Sequence, residues 1–256
     1  MLFFFKPKKI VVDAFTPVHV VHKYFGIKPA IQYTPEWWKN TSKTINVPVS
    51  NKMNLDQATI KTCPGFIDFY KKGFIVPSWT DMIFVPDKDT HNIDYKSASS
   101  EVPELFNKGI MRHNPDQWNR AFEDAIHFKL LSPWTIFQKE NISWVMAEPT
   151  WSTLKDNTNL RLLPGSTNFK LVHSLNFNYF ITNKTPVIEI EADQPLAHLI
   201  PITEKDVEIK NHLVSKEEWH RLRFTDNPTF KFINSYKFIE KWHKTNIEEK
   251  NKCPFH

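Results

Sequence analysis

Proline limits what this chain can fold into. Eighteen prolines run from Pro7 to Pro254, and up to Pro201 no two successive ones lie more than 22 positions apart (Pro164 and Pro186). Each fixes its own φ, lacks an amide donor and pushes the preceding residue towards extended backbone. Long helices are therefore excluded until the last third, whereas short strands between turns are not. Glycine tightens the limit. The chain has 5 glycines in 256 residues, against roughly 18 at an average usage of about 7%. No GxGxxG or GxxxxGK(S/T) occurs, which excludes dinucleotide-binding and P-loop chemistry.

The β pattern is strongest between about 110 and 202. His127–Leu131, Trp134–Gln138, Ser143–Ala147, Asn168–Leu175, Asn178–Thr182, Val187–Glu191 and Leu196–Pro201 read as strands. Ile188 and Ile190 alternate with Glu189 and Glu191, the period of a half-buried strand. Earlier, Lys9–Phe15 reads as a strand and Thr16-Pro17 opens a short helix that Gly26 ends. Residues 34–39 read as a helical turn, 64–72 as a helix closed by Gly73, and 74–76 with 81–85 as a strand pair around Pro77-Ser78-Trp79. At the far end Ser215–Glu218 forms a capping box. A second helix is expected after Asn227-Pro228, with Phe232, Ile233, Tyr236, Ile239 and Trp242 at helical spacing. The expected class is mainly β (α+β): a jelly-roll-like β-sandwich with short N-terminal helices and a helical C-terminal lobe. Its β-rich domain spans 1–214, and a helical extension over 215–256 packs on it.

The net charge of +5 comes from 33 basic and 28 acidic residues. Only Arg112, Arg120, Arg161, Arg221 and Arg223 are arginines, and the rest are lysines. Guanine and phosphate recognition favours arginine, so the balance argues against specific nucleic-acid binding. No apolar run reaches the length of a membrane span. The run Met1–Phe5 is too short for a signal peptide and its charges follow it, so an intracellular protein is expected. Cys63 and Cys253 make no zinc pattern, and a disulfide between them is permitted but not demanded.

Four segments, Ala30–Lys39, Cys63–Trp79, Leu131–Thr135 and Glu191–Pro201, resemble a family of functionally unassigned proteins from tailed phages of marine cyanobacteria, with distant bacterial relatives. The resemblance implies a phage origin, a location in the host cytoplasm or the virion, and no transferable chemistry. The stretch Pro186–Ile202 is also similar to the closing strands of trimeric dUTPase-type jelly rolls. The Arg-Ser-Ser and Gly-Tyr-Gly-Asp segments of those enzymes are missing, which supports the topology and argues against the activity.

Aromatic side chains carry the most information. Trp37, Trp38, Trp79, Trp118, Trp134, Trp144 and Trp151 lie near proline and polar residues. Tryptophan offers a large face and one donor to a ligand or partner chain, though it fills cores equally well. Trp37, Trp38, Trp79 and Trp134 are the expected contact residues, since two adjacent residues on a turn do not both point inward easily. Eleven histidines permit a mononuclear iron or zinc site, and imidazole suits either metal. His173 and His198, on expected strands, with Glu189 form the candidate ligand set, although no HxD or HExxH is present. Cys63 stands at an expected helix start and is expected in a buried aromatic setting. The expected function is a binding or structural, assembly-forming role through aromatic surfaces, with a protein partner or small-molecule ligand and a homo-oligomer among its forms. One alternative is a non-haem-iron-type enzyme acting on a small host metabolite. The other is a host-takeover factor that binds a bacterial protein.

Overall fold

A computed structural model describes residues 9–223 except 51–52, 88, 91, 107, 119–120, 122–123, 150, 152–158 and 183. The expected second C-terminal helix and Cys253 lie outside the described residues. In chain order the elements begin with β1 (Ile10–Thr16), α1 (His19–Tyr24), β2 (Lys28–Pro29), α2 (Glu36–Asn40), β3 (Thr44–Ser50) and β4 (Met53–Ala58). Next come α3 (Pro64–Lys71), β5 (Phe74–Pro77), β6 (Met82–Pro86), β7 (Ile93–Ser97), α4 (Glu101–Phe106) and β8 (Ile110–Arg112). Then follow β9 (Ala125–Gln138), β10 (Ser143–Ala147), β11 (Leu160–Leu162), β12 (Gly165–Thr167) and β13 (Ser174–Thr182). Last are β14 (Ile188–Ile190), β15 (Pro195–Ile202), β16 (Val207–Leu213) and α5 (Lys216–Leu222). Of the described residues 46% are in strands and 23% in helices, so the molecule is mainly β.

One sheet runs β11-β13-β9-β1-β16, with β8 also paired to β9, and the other runs β12-β10-β15-β5-β2. Their inward side chains share one core. Val12, Phe128, Leu130 and Phe177 come from the first sheet, and Phe74, Val76, Trp144 and Leu199 from the second. Tyr179 of β13 donates across this core to the Leu196 carbonyl at 2.8 Å. A third sheet, β14-β6-β7, extends the core, with the Phe84 ring 5.3 Å from that of Phe128. Every pairing among the described strands is antiparallel except β1 with β16, which run parallel over Ile10–Thr16 and Val207–Leu213. Asp13 of β1 and His212 of β16 are joined at 2.7 Å.

The second sheet is buried on both faces. Phe74 and Val76 point into the main core, while Ile75 points outward into a smaller cluster with Ala30, Trp38, Tyr70 and Trp151, under α2 and α3. The β3–β4 hairpin forms a sheet by itself and leaves Ile45, Val49 and Leu55 exposed. No helix among the described residues is long and apolar enough to cross a membrane.

Several local expectations change. The strands expected at 127–131 and 134–138 form one 14-residue strand, β9, which continues through Pro133. It pairs with β8 before the proline and with β1 after it, so the missing amide falls where the neighbour changes. The two strands around Pro77-Ser78-Trp79 do not pair: β5 joins β15 and β2, and β6 joins β14 and β7. Residues 169–171 form a turn in place of a strand, and β13 begins at Ser174. The capping box holds, since Ser215 Oγ accepts from the Glu218 amide at 3.1 Å. Trp219 of α5 is buried and donates to the Pro133 carbonyl at 2.9 Å, which packs this part of the C-terminal extension on the sandwich.

Candidate ligand cleft

In β13 the residues Leu175, Phe177, Tyr179 and Ile181 face the core, so Ser174, Asn176, Asn178 and Phe180 face outward. Strand β9 is antiparallel to it and sets Lys129 beside Asn178 and His127 beside Phe180. On the far side of β9 the chain leaves β8, and the amide of His113 donates to the His127 carbonyl at 3.0 Å. Pro115 then opens one 3₁₀ turn, Pro115–Trp118, fixed by Asn114 Oδ1 accepting from the Asp116 amide at 3.0 Å. That turn carries Gln117 and Trp118 to the edge of the same face, and residues 163–172 rise opposite. Between these walls lies a cleft of about 790 Å³, within the range of small-molecule sites.

The His113 and His127 rings stack, with centroids 4.2 Å apart and planes 21° from parallel. Trp118 Nε1 donates to His127 Nδ1 at 2.7 Å, and its ring meets His127 edge to face at 5.1 Å. Indole nitrogen only donates, so the neutral His127 must carry its proton on Nε2. His113 Nδ1 donates to Gln117 Oε1 at 2.8 Å, leaving a lone pair on its own Nε2. Both Nε2 atoms are buried and have no partner. Burial lowers the pKa of His127 to about 4, with further repulsion from His113 and Lys129. Burial also lowers that of His113. The pair is therefore neutral near pH 7, and it offers one donor and one acceptor.

The expected contact tryptophans lie elsewhere. Trp79 and Trp134 are buried in the main core and present no surface. The Gly-poor sandwich uses their volume to fill the space between its sheets. The adjacent pair splits: Trp38 is buried in the smaller cluster with its ring 4.1 Å from that of Trp151. Trp37 is half-buried over the same cluster and donates to the Trp151 carbonyl at 3.4 Å. Trp118, at 39% exposure, is the tryptophan that edges the cleft.

The expected metal ligands do not converge. Among the described residues no three His, Cys, Asp or Glu side chains form a group that could hold a metal ion. His173 precedes β13 and donates from Nδ1 to the Leu222 carbonyl at 2.8 Å. His198 is fully buried on the outer side of β15, stacked on Tyr70 at 5.0 Å. Glu189 lies on the exposed side of β14, beside Ile83. Three residues close in sequence thus reach different parts of the fold. The stacked pair does not replace them as an iron or zinc site, because the Trp118 donor keeps a proton on His127 Nε2. Cys63 is exposed at the N-cap of α3, not in the aromatic setting expected of it.

Sequence reasoning missed the cleft because His113, His127 and Lys129 are separated from β13 by a turn-rich stretch without a motif. The signal that could have found it is Asn at two successive outward positions of β13. Asparagine is depleted in strands, and there it has a polar surface to serve. Comparison with known proteins finds no matching family model, no matching curated protein and no matching solved structure.

Proposed function

We propose that the protein acts by binding a small polar ligand in the cleft on the outer face of β9 and β13. The observation that carries this reading is His127: a buried imidazole in the cleft lining whose tautomer is held by Trp118 and whose Nε2 has no partner. An unmade hydrogen bond on a buried group costs about 1–3 kcal/mol, and a ligand group at that nitrogen removes the cost. The surrounding Asn, Ser and Thr side chains give direction, while the partly buried Met146, Leu163 and Val172 supply an apolar base. An apolar floor with a few placed polar groups is the make-up of small-molecule sites. The aromatic contribution comes from Trp118, not from the buried tryptophans of the core.

The test is native mass spectrometry of the protein after exposure to a cell extract, repeated with Trp118→Ala and Asn178→Ala. The expected result is a small-molecule adduct on the parent chain that both variants lose while their thermal midpoints stay close to the parent. An adduct retained by both variants, or none on the parent, overturns the proposal.

A further inference from the structure

Strand β16 closes one end of the first sheet, and among the described residues no strand pairs with its far side. The other end strands of the two main sheets, β11, β12 and β2, have 3, 3 and 2 residues, whereas β16 has 7. A long open edge is a template for another strand unless a proline or a bulge blunts it, and β16 has neither. Its bonds to β1 fix which backbone groups face out. The Ile10 amide donates to the Asp206 carbonyl at 2.8 Å, and the Val214 amide to the Thr16 carbonyl at 3.1 Å. A parallel strand bonds its neighbour through alternate residues, so Asp206, Glu208, Lys210 and His212 serve β1. Val207, Ile209, Asn211 and Leu213 therefore turn their amides and carbonyls to the open side. The side chains of Val207 and Ile209 pack against the main core, while Glu208 and Lys210 are exposed on the opposite face.

We infer that β16 pairs antiparallel with β16 of a second copy of this chain, about a two-fold axis at Ile209, so that two first sheets join into one. In this register Ile209 faces Ile209 of the second copy and Val207 faces Asn211. Both are hydrogen-bonded pairs, made by the residues whose backbone groups turn outward. Glu208 then faces Lys210 of the second copy in a non-hydrogen-bonded pair, the kind that brings side chains closest. The two-fold axis makes that contact twice. An axis at Glu208 would set Glu208 against its own copy, and an axis at Lys210 would do the same to Lys210. Like charges directly opposite destabilise a sheet, so the acidic-to-basic order along β16 selects the register centred on Ile209. On the other face the half-buried Ile209 side chains meet at the axis and join the two cores.

Sedimentation equilibrium of the full chain tests the pairing. The parent should show a monomer–dimer equilibrium. Glu208→Lys and Lys210→Glu should each raise the dissociation constant roughly tenfold or more, because either change turns two attractive cross-strand pairs into repulsive ones. An equimolar mixture of the two variants should regain a dimer, since each copy then supplies the charge that the other lacks. That rescue separates the interface from damage to the fold, which mixing would not repair. A parent that stays monomeric at millimolar concentration overturns the inference, as do assemblies larger than a dimer, which a closed two-fold pairing does not build. A dimer that ignores both charge reversals overturns it by placing the interface elsewhere. Two weakened variants that fail to associate with each other overturn the register and the inference with it.

Discussion

Gly73 and His198 occupy space that only a glycine can share. A methyl group built on Gly73 would overlap the His198 imidazole at Nε2, Cδ2 and Cε1. The ring is fully buried between the Gly73 backbone and the aromatic side chains of Tyr70 and Phe69. Gly73 also ends α3, yet its φ is not positive, so close approach and not a left-handed turn requires it. Gly73→Ala should therefore destabilise the fold by about 1–3 kcal/mol or more through overpacking. Gly65, inside α3 with nothing within 4 Å of its added carbon, is the control. There alanine should stabilise by up to about 1 kcal/mol. Urea unfolding of both variants checks the contrast, which fails if the two shift the midpoint alike.

Acid should weaken the protein before its carboxylates titrate. Burial lowers the pKa of His198 to about 4, and that of His127 falls to a similar value. Above about pH 6.5 both are neutral, folded or unfolded. Between there and pH 4 the unfolded chain takes up protons that the folded chain refuses, so stability falls as pH falls. Below about pH 4 the folded rings also protonate and this loss stops growing. For a fully buried imidazole the whole step is on the order of 3 kcal/mol. Denaturation midpoints at pH 7.5, 5.5 and 4.5 measure it. His198→Leu should flatten the slope, and an unchanged slope would assign the acid sensitivity to other groups.

Asp193 turns the chain between β14 and β15 with φ 65, the one non-glycine residue with positive φ among those described. Its carboxylate accepts from Tyr33 Oη at 2.7 Å and lies 3.6 Å from Lys28 Nζ. Asparagine tolerates that backbone and keeps an acceptor, whereas alanine does neither. Asp193→Asn should stay within about 0.5 kcal/mol of the parent and Asp193→Ala should lose about 1–2 kcal/mol. Thermal unfolding of the pair separates backbone strain from simple loss of charge.

The β3–β4 hairpin should be removable. Its base is closed by the Thr59 amide donating to the Lys43 carbonyl at 3.0 Å, and its strands join no other sheet. Replacing residues 45–57 by a two-residue turn should change the thermal midpoint by no more than about 3 °C. A larger fall would mean that Ile45, Val49 or Leu55 stabilises the body of the protein.

Periodicity and punctuation were legible where one face of an element is polar and the other is not. β14 alternates as expected, α3 begins at Pro64, and the Ser215 box caps α5. Burial on both faces erased that signal in β5 and β15, so His198 gave no hint that it faces a second cluster. Pro133 divided one strand into two because partner exchange along a strand leaves no mark in local sequence. The hairpin at 44–58 escaped notice although Ile45, Val47 and Val49 alternate, because Pro48 interrupts the run and most of its described residues are exposed. Long-range pairing decided the site itself: His113, Lys129 and Asn178 meet only through β-sheet register.

The parallel pairing of β1 with β16 has a consequence for the order of assembly. On the ribosome β1 emerges before the other described strands, but its neighbour on one side, β9, lies more than a hundred residues downstream and its neighbour on the other, β16, almost two hundred. Loop closure on that scale is costly before the contacts it brings can form. Strand β1 must stay unpaired on one edge until nearly all of the described sandwich has been synthesised. A nascent chain stalled before Val207 therefore exposes a strand edge, and this is where a chaperone would find it.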